Sequence, residues 1–165
     1  MIKIEVESLH RYVNAYEFVE FSSGQTILNI LKTEGVMRLV YNKLFEKYNI
    51  SEPKFFVLLL LSTKQEGMAL SELGELMLVS KANMTTLIER MEREMLVVKR
   101  RSKTDRRSTR AFLTDKGMAL FDEVRFLHKE FSEIMVQALS EDERNTLNQL
   151  MRKLQMGIIN DFNSK

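Results

Sequence analysis

Residues 70–95 read LSELGELM, then LVS, then KANMTTLIERMEREM. Leu78-Val79-Ser80 is too short for anything but a tight turn between two helices, Leu70 to Met77 and Lys81 to Met95. Ser80 is placed to cap the second helix. Met84, Leu87, Ile88 and Met91 recur at three- and four-residue steps, so they form its buried side. In such a helix-turn-helix the first half of the second helix enters the major groove and must offer small polar or basic groups. Here it offers Ser80, Lys81, Asn83, Thr85, Thr86 and Arg90. Asn can pair bidentately with adenine, Thr can meet a base edge or a thymine methyl, and Lys and Arg reach guanine or phosphate.

Immediately downstream, Leu96 to Arg100 and Thr109 to Leu113 are short β-prone runs around the polar stretch 101–108, which predicts a hairpin with a long basic tip. The tip holds Lys103, Asp105, Arg106 and Arg107. A single carboxylate among bases can hold an arginine extended by a bidentate pair, the form a narrow minor groove selects. A flexible solvated loop is the other reading of the same residues.

Thr114 with Asp115 starts a helix whose apolar stripe runs from Met118 through Phe121, Val124, His128 and Phe131. Ser140 to Glu143 is a capping box, and the helix it opens carries Leu147, Leu150, Met151, Leu154, Ile158 and Phe162. Upstream, a short N-terminal helix is predicted to end before a turn at Ser22-Ser23-Gly24. A long amphipathic helix follows from Gln25 to Tyr48. Ser51 is read as the cap of the next helix, with Pro53 in its first turn. Its run Phe55 to Leu61 is apolar nearly all round and is expected at the centre of the core.

Net charge is only +2 over 165 residues, but its distribution is uneven. Residues 1–80 carry 8 Lys/Arg against 10 Asp/Glu, residues 81–110 carry 10 against 4, and residues 111–165 carry 7 against 9. A local basic segment in a mildly acidic chain is the footprint of a phosphate-contacting surface. The absence of cysteine excludes disulfides, thiolate metal sites and thiol nucleophiles. Met1 to His10 lacks the pattern of a signal peptide, and the longest apolar run is too short to span a bilayer, so a cytoplasmic location and no membrane partner are expected.

The runs Leu70-Ser71-Glu72-Leu73 and Val79 to Thr85, and above all Asp105-Arg106-Arg107 followed by Leu113-Thr114-Asp115-Lys116-Gly117, resemble the MarR family of bacterial transcriptional regulators, whose pattern is D-x-R and then L-T-x-x-G. The resemblance implies a mainly α fold with a small β-hairpin wing: a winged helix-turn-helix flanked by N- and C-terminal dimerisation helices. It implies a homodimer on a pseudo-palindromic operator of double-stranded DNA, with half-sites ~10 bp apart. It also makes Arg107 the minor-groove arginine and Asp105 its orienting partner. The domains are then 1–48, an N-terminal extension and first dimerisation helix; 49–114, the DNA-binding winged helix; and 115–165, the C-terminal dimerisation helices.

Three residues depart from the family's pattern. Ala69 stands where a capping Thr is common, a loss of about 1 kcal/mol. Leu78 and Met95 stand where glycine is common, which puts a Cβ into a left-handed conformation at about 1–2 kcal/mol each.

His10 and His128 are far apart and in no metal-binding spacing, so no metal or cofactor is expected. No Gly-rich phosphate loop or nucleophile elbow is present, which argues against an enzyme and gives no catalytic residue. Met37, Arg38, Tyr41, Phe45 and His128 are the candidates for a pocket that takes a small aromatic or anionic effector, with core packing the blander reading of the apolar ones. The alternative function is a winged-helix module that binds protein instead of DNA, against which the basic middle segment argues.

Overall fold

The computed structural model describes residues 6–15, 22–101 and 109–163. It is mainly helical, in the order α1 (Val6–Asn14), α2 (Ser22–Lys47), α3 (Glu52–Ser62), β1 (Met68–Ala69), α4 (Leu70–Leu76), α5 (Lys81–Arg93), β2 (Val97–Arg101), β3 (Thr109–Leu113), α6 (Asp115–Val136) and α7 (Glu141–Asn163). Two compact units result, residues 1–128 and residues 129–165. No helix among the described residues is long and apolar enough to cross a membrane.

The helix-turn-helix forms as its sequence predicts, with Met84, Ile88 and Met91 fully buried. Around them pack Phe45, Phe55, Val57, Leu58, Leu73 and Val97. The wing strands pair antiparallel from Val97 opposite Leu113 to Arg101 opposite Thr109. A third strand, β1, joins the outer side of β3 and was not anticipated, because two residues are too few to show a period. It is held by Arg110, whose Nε and Nη2 donate to the carbonyls of Glu66 at 3.1 Å and Gly67 at 2.7 Å.

Three helix ends share one device. After α2, α4 and α5 the chain turns left-handed at Asn49 (φ 51), Leu78 (φ 53) and Met95 (φ 61). In each, the next residue donates back five positions: Ile50 to Phe45, Val79 to Gly74 and Leu96 to Met91, at 2.8 to 3.1 Å. These are Schellman ends, which satisfy carbonyls the helix leaves open. Asn tolerates the required conformation, whereas Leu and Met are strained in it, as their departure from the family's glycines implies.

The third of these ends delivers the carbonyl of Leu96 to the start of α6. Thr114 N donates to it at 3.2 Å, and the Thr114 hydroxyl lies 2.6 Å from Met95 O and 3.1 Å from Leu96 O. The same hydroxyl oxygen accepts from Gly117 N at 3.0 Å, which makes Thr114 the cap of α6. A Cβ on Gly117 would lie 2.0 Å from Leu96 O. The L-T-x-x-G run is therefore a latch: the Thr joins strand to helix and the Gly lets them touch.

Several expectations are corrected. Ser22-Ser23-Gly24 is the first turn of α2 rather than a break, because serine suits a helix start and Thr26 Oγ1 donates to Ser22 O. Ser51 stands at the cap position of α3 but makes no side-chain capping bond. That helix is not buried all round: Phe56 and Leu59 are exposed, while Lys54 is buried. Lys54 Nζ donates to both carboxylate oxygens of Glu94 at 2.6 and 2.7 Å, bracing α3 against the end of α5. Ala69 precedes α4 with no side-chain cap, as its methyl dictates. In the second unit, Ser140 N donates to Glu143 Oε2 at 2.8 Å and Glu143 N donates to Ser140 Oγ at 3.3 Å, the reciprocal bonds of a capping box.

His128 stacks between Tyr41 and Phe55, with centroids 4.5 and 4.6 Å away. Burial holds its pKa below the ordinary 6.5. A lowered histidine favours the neutral form in the fold, so its contribution is complete above 6.5 and is lost as pH falls through that value toward the folded pKa. Glu92 and Glu143, also lowered, act only below their ordinary 4.5. Urea midpoints are therefore expected to fall between about pH 7 and 5, and His128→Phe is expected to flatten that slope; an unchanged slope refutes the assignment. Gly117→Ala should destabilise by about 2–4 kcal/mol in urea unfolding, since backbone rather than a flexible side chain must give way.

Candidate nucleic-acid interface

Helix α5 presents a polar face because its apolar residues fall on the other one. Ser80 Oγ accepts from Asn83 N at 3.3 Å and caps the helix, and no acid occupies its first turn. The positive end of the helix dipole therefore has no acid in that turn to offset it, an arrangement that suits a phosphate. Ser80, Lys81, Asn83, Thr86 and Arg90 are exposed and Thr85 is half-buried.

The two threonine hydroxyls donate inward, Thr85 to Lys81 O at 2.8 Å and Thr86 to Ala82 O at 3.1 Å. Their protons are engaged by the helix, so what remains for a base is an acceptor oxygen and a methyl group. Neither bond is visible in residue spacing.

The acids on α5 are turned to structural use. Glu92 Oε1 accepts from Lys99 N at 2.9 Å, and Glu92 Oε2 lies 3.1 Å from Lys99 Nζ. The backbone bond from Lys99 chiefly holds the Glu92 carboxyl below its ordinary range. Glu89 approaches the same ammonium at 3.8 Å. Lys99 thus ties β2 to α5, and Arg110 ties β3 to the turn before β1. Arg100 lies over the Phe112 ring at 5.1 Å. Arg90, Arg93 and Arg101 are exposed on α5 and β2.

The predicted wing-tip residues Lys103, Asp105, Arg106 and Arg107 lie outside the described residues. The Arg101–Thr109 pair is where the wing strands end and the tip departs.

The five residues considered for an effector pocket are only partly brought together. Tyr41, Phe45 and His128 form one stack with Phe55, in which Phe45 is 1% exposed and belongs to the core. Met37 is half-buried. Arg38 lies on the outer face and pairs with Glu34 at 3.4 Å. A cleft of about 310 Å3 occurs elsewhere, between the end of α3, the wing strands and the start of α6, and none of the five lines it. Among the described residues no three His, Asp or Glu cluster as metal ligands would.

The family model described as MarR family matches residues 50–109. The HTH-type transcriptional regulator MgrA of Staphylococcus aureus is 32% identical over 119 residues, 72% of this chain and 79% of that protein. Among solved structures, a MarR-like transcription regulator of Bacillus cereus is 27% identical with a TM-score of 0.73, covering 82% of this chain and 96% of that one. The fold is also that of S. aureus MepR in its DNA complex, at 19% identity and a TM-score of 0.73 over 84% of this chain and 99% of that one. With its winged helix and its regulator relatives agreeing, the chain belongs to the MarR family, a family of transcriptional regulators and not of enzymes.

Proposed function

We propose that this protein is a homodimeric, sequence-specific DNA-binding repressor. The observation that carries this is the first half of α5, capped, free of acids in its first turn and presenting Lys81, Asn83, Thr86 and Arg90 to solvent. MepR, which shares the fold, has been solved with DNA, and this supports duplex DNA as the partner. Asn83 and Thr85 are the base readers, Lys81 and Arg90 contact phosphate or guanine, and Arg107 with Asp105 completes the wing contact.

Exposed apolar residues support the dimer. On α7 Leu147, Leu150 and Ile158 are 47%, 59% and 48% exposed in the single chain, and on α2 Ile27 and Leu31 are 47% and 56% exposed. On each helix by itself, exposed apolar residues at helical spacing support a second copy as the cover. Release by a small aromatic or anionic effector is part of the same reading. Its site is the half-buried Tyr41–His128 stack, and it requires that the ligand favour the state that cannot bind DNA.

Selection from random duplex DNA is expected to return a two-fold-related site. Affinity for that site should fall steeply between roughly 50 and 200 mM salt, and Arg90→Ala should reduce the salt slope by about one if Arg90 meets a phosphate. Arg107→Ala should weaken the same binding and leave the dimer intact. No enriched sequence, or a flat salt response, favours the protein-binding module instead. In sedimentation the wild type should be a dimer and the Leu150→Lys, Ile158→Lys double variant a monomer; a dimeric double variant removes α7 from the interface.

A further inference from the structure

Leu78 presents a conflict that the fold does not resolve. Its backbone is fully accounted for: the Schellman end of α4 needs a left-handed residue there, with Leu78 N donating to Glu75 O at 3.2 Å and Val79 N to Gly74 O at 2.8 Å. Its side chain is not. A leucine is strained at φ 53, where glycine would be at ease. The side chain is also 95% exposed, so it contributes almost nothing to the core in return and leaves its apolar surface in water.

The position of this side chain suggests what covers it. Leu78 lies two residues before Ser80, the cap of the recognition helix, so it sits at the leading edge of the surface that carries Lys81 and Asn83. The turn beneath it is closed by two backbone bonds. Val79, next in sequence, turns inward and packs with the core, and a Cβ on Gly74 would already approach Val79 O at 3.0 Å. A protruding apolar group beside a groove-entering helix is placed to meet the apolar parts of a duplex, the thymine methyls and the deoxyribose rings.

We propose that Leu78 is an apolar DNA contact, whose burial against thymine methyl or deoxyribose helps select and hold the operator. The proposal rests on the DNA-binding reading given above. It makes Leu78 a binding residue retained against the preference of the backbone.

Met95 provides an internal control. It is strained in the same way, at φ 61, and is 63% exposed, but it follows α5 rather than leading it. The test compares Leu78→Gly, Leu78→Asn and Met95→Gly in the full chain, by urea midpoint and by anisotropy titration on the duplex that the wild type selects from random sequence. All three should keep or raise the urea midpoint. Both Leu78 variants should bind about tenfold more weakly, the scale of one buried leucine, while Met95→Gly binds as the wild type does. Stability and affinity thus move in opposite directions at position 78 only.

Replacing thymine by uracil in the same duplex separates the two apolar sources. A loss for wild type that Leu78→Gly does not share assigns the methyl; no loss for either, with Leu78→Gly still weak, assigns the sugar. Wild-type affinity in both Leu78 variants overturns the proposal. If the wild type itself selects no duplex, it is the DNA-binding reading that fails.

Discussion

A single carbonyl oxygen, that of Leu96, sets how the recognition helix, the wing and the long helix after it meet. It can reach the start of α6 only because Met95 turns left-handed, and it can be approached only because residue 117 has no side chain. Thr114 then bonds on both sides of the contact, to the turn that ends α5 through its N–H and hydroxyl and to α6 through its hydroxyl oxygen. Lys116 adds a bond to Glu94 O at 2.9 Å. Helix end, strand start and helix start are thereby joined within a few residues, so α5 and the wing are held as one body.

The electrostatics of that body differ from a tally of its charges. Lys99 and Arg110, counted among the bases of the middle segment, are engaged by Glu92 and by the carbonyls of Glu66 and Gly67. These bonds fix where the side chains of Lys99 and Arg110 lie, while Lys81, Arg90, Arg93, Arg100 and Arg101 are exposed. The same contacts occupy the acids of α5 that would repel phosphate. Part of the basic composition thus builds the scaffold on which the remainder is displayed.

What could be read from residue order follows from the range of each interaction. Periodicity located every long helix, and the side-chain caps at Ser80, Thr114 and Ser140 were legible because a cap and its partner lie within three or four positions. The left-handed turns at Leu78 and Met95 were legible through comparison with the family's glycines. Bonds across tens of residues left no local trace: nothing beside Lys54, which precedes the apolar run Phe55 to Leu61, points to Glu94, and Arg110 entered only as one of the bases of the middle segment. The mistaken break at Ser22-Ser23-Gly24 arose because the same residues serve a turn and a helix start. For the interface, exposure of Asn83, Thr86 and Arg90 followed from spacing, whereas the inward-facing threonine protons could not be inferred from it.

The brace between Lys54 and Glu94 constrains how this sequence can drift. An ammonium sheltered beneath α3, at 8% side-chain exposure, depends on one carboxylate, and losing that partner strands a charge away from water. Loss of the lysine leaves the carboxylate, 41% exposed, free to be hydrated, so the two losses are unequal in severity. Substitution at 54 therefore has to precede or accompany substitution at 94. Among descendants of this chain, the two positions should covary with a preferred order of replacement.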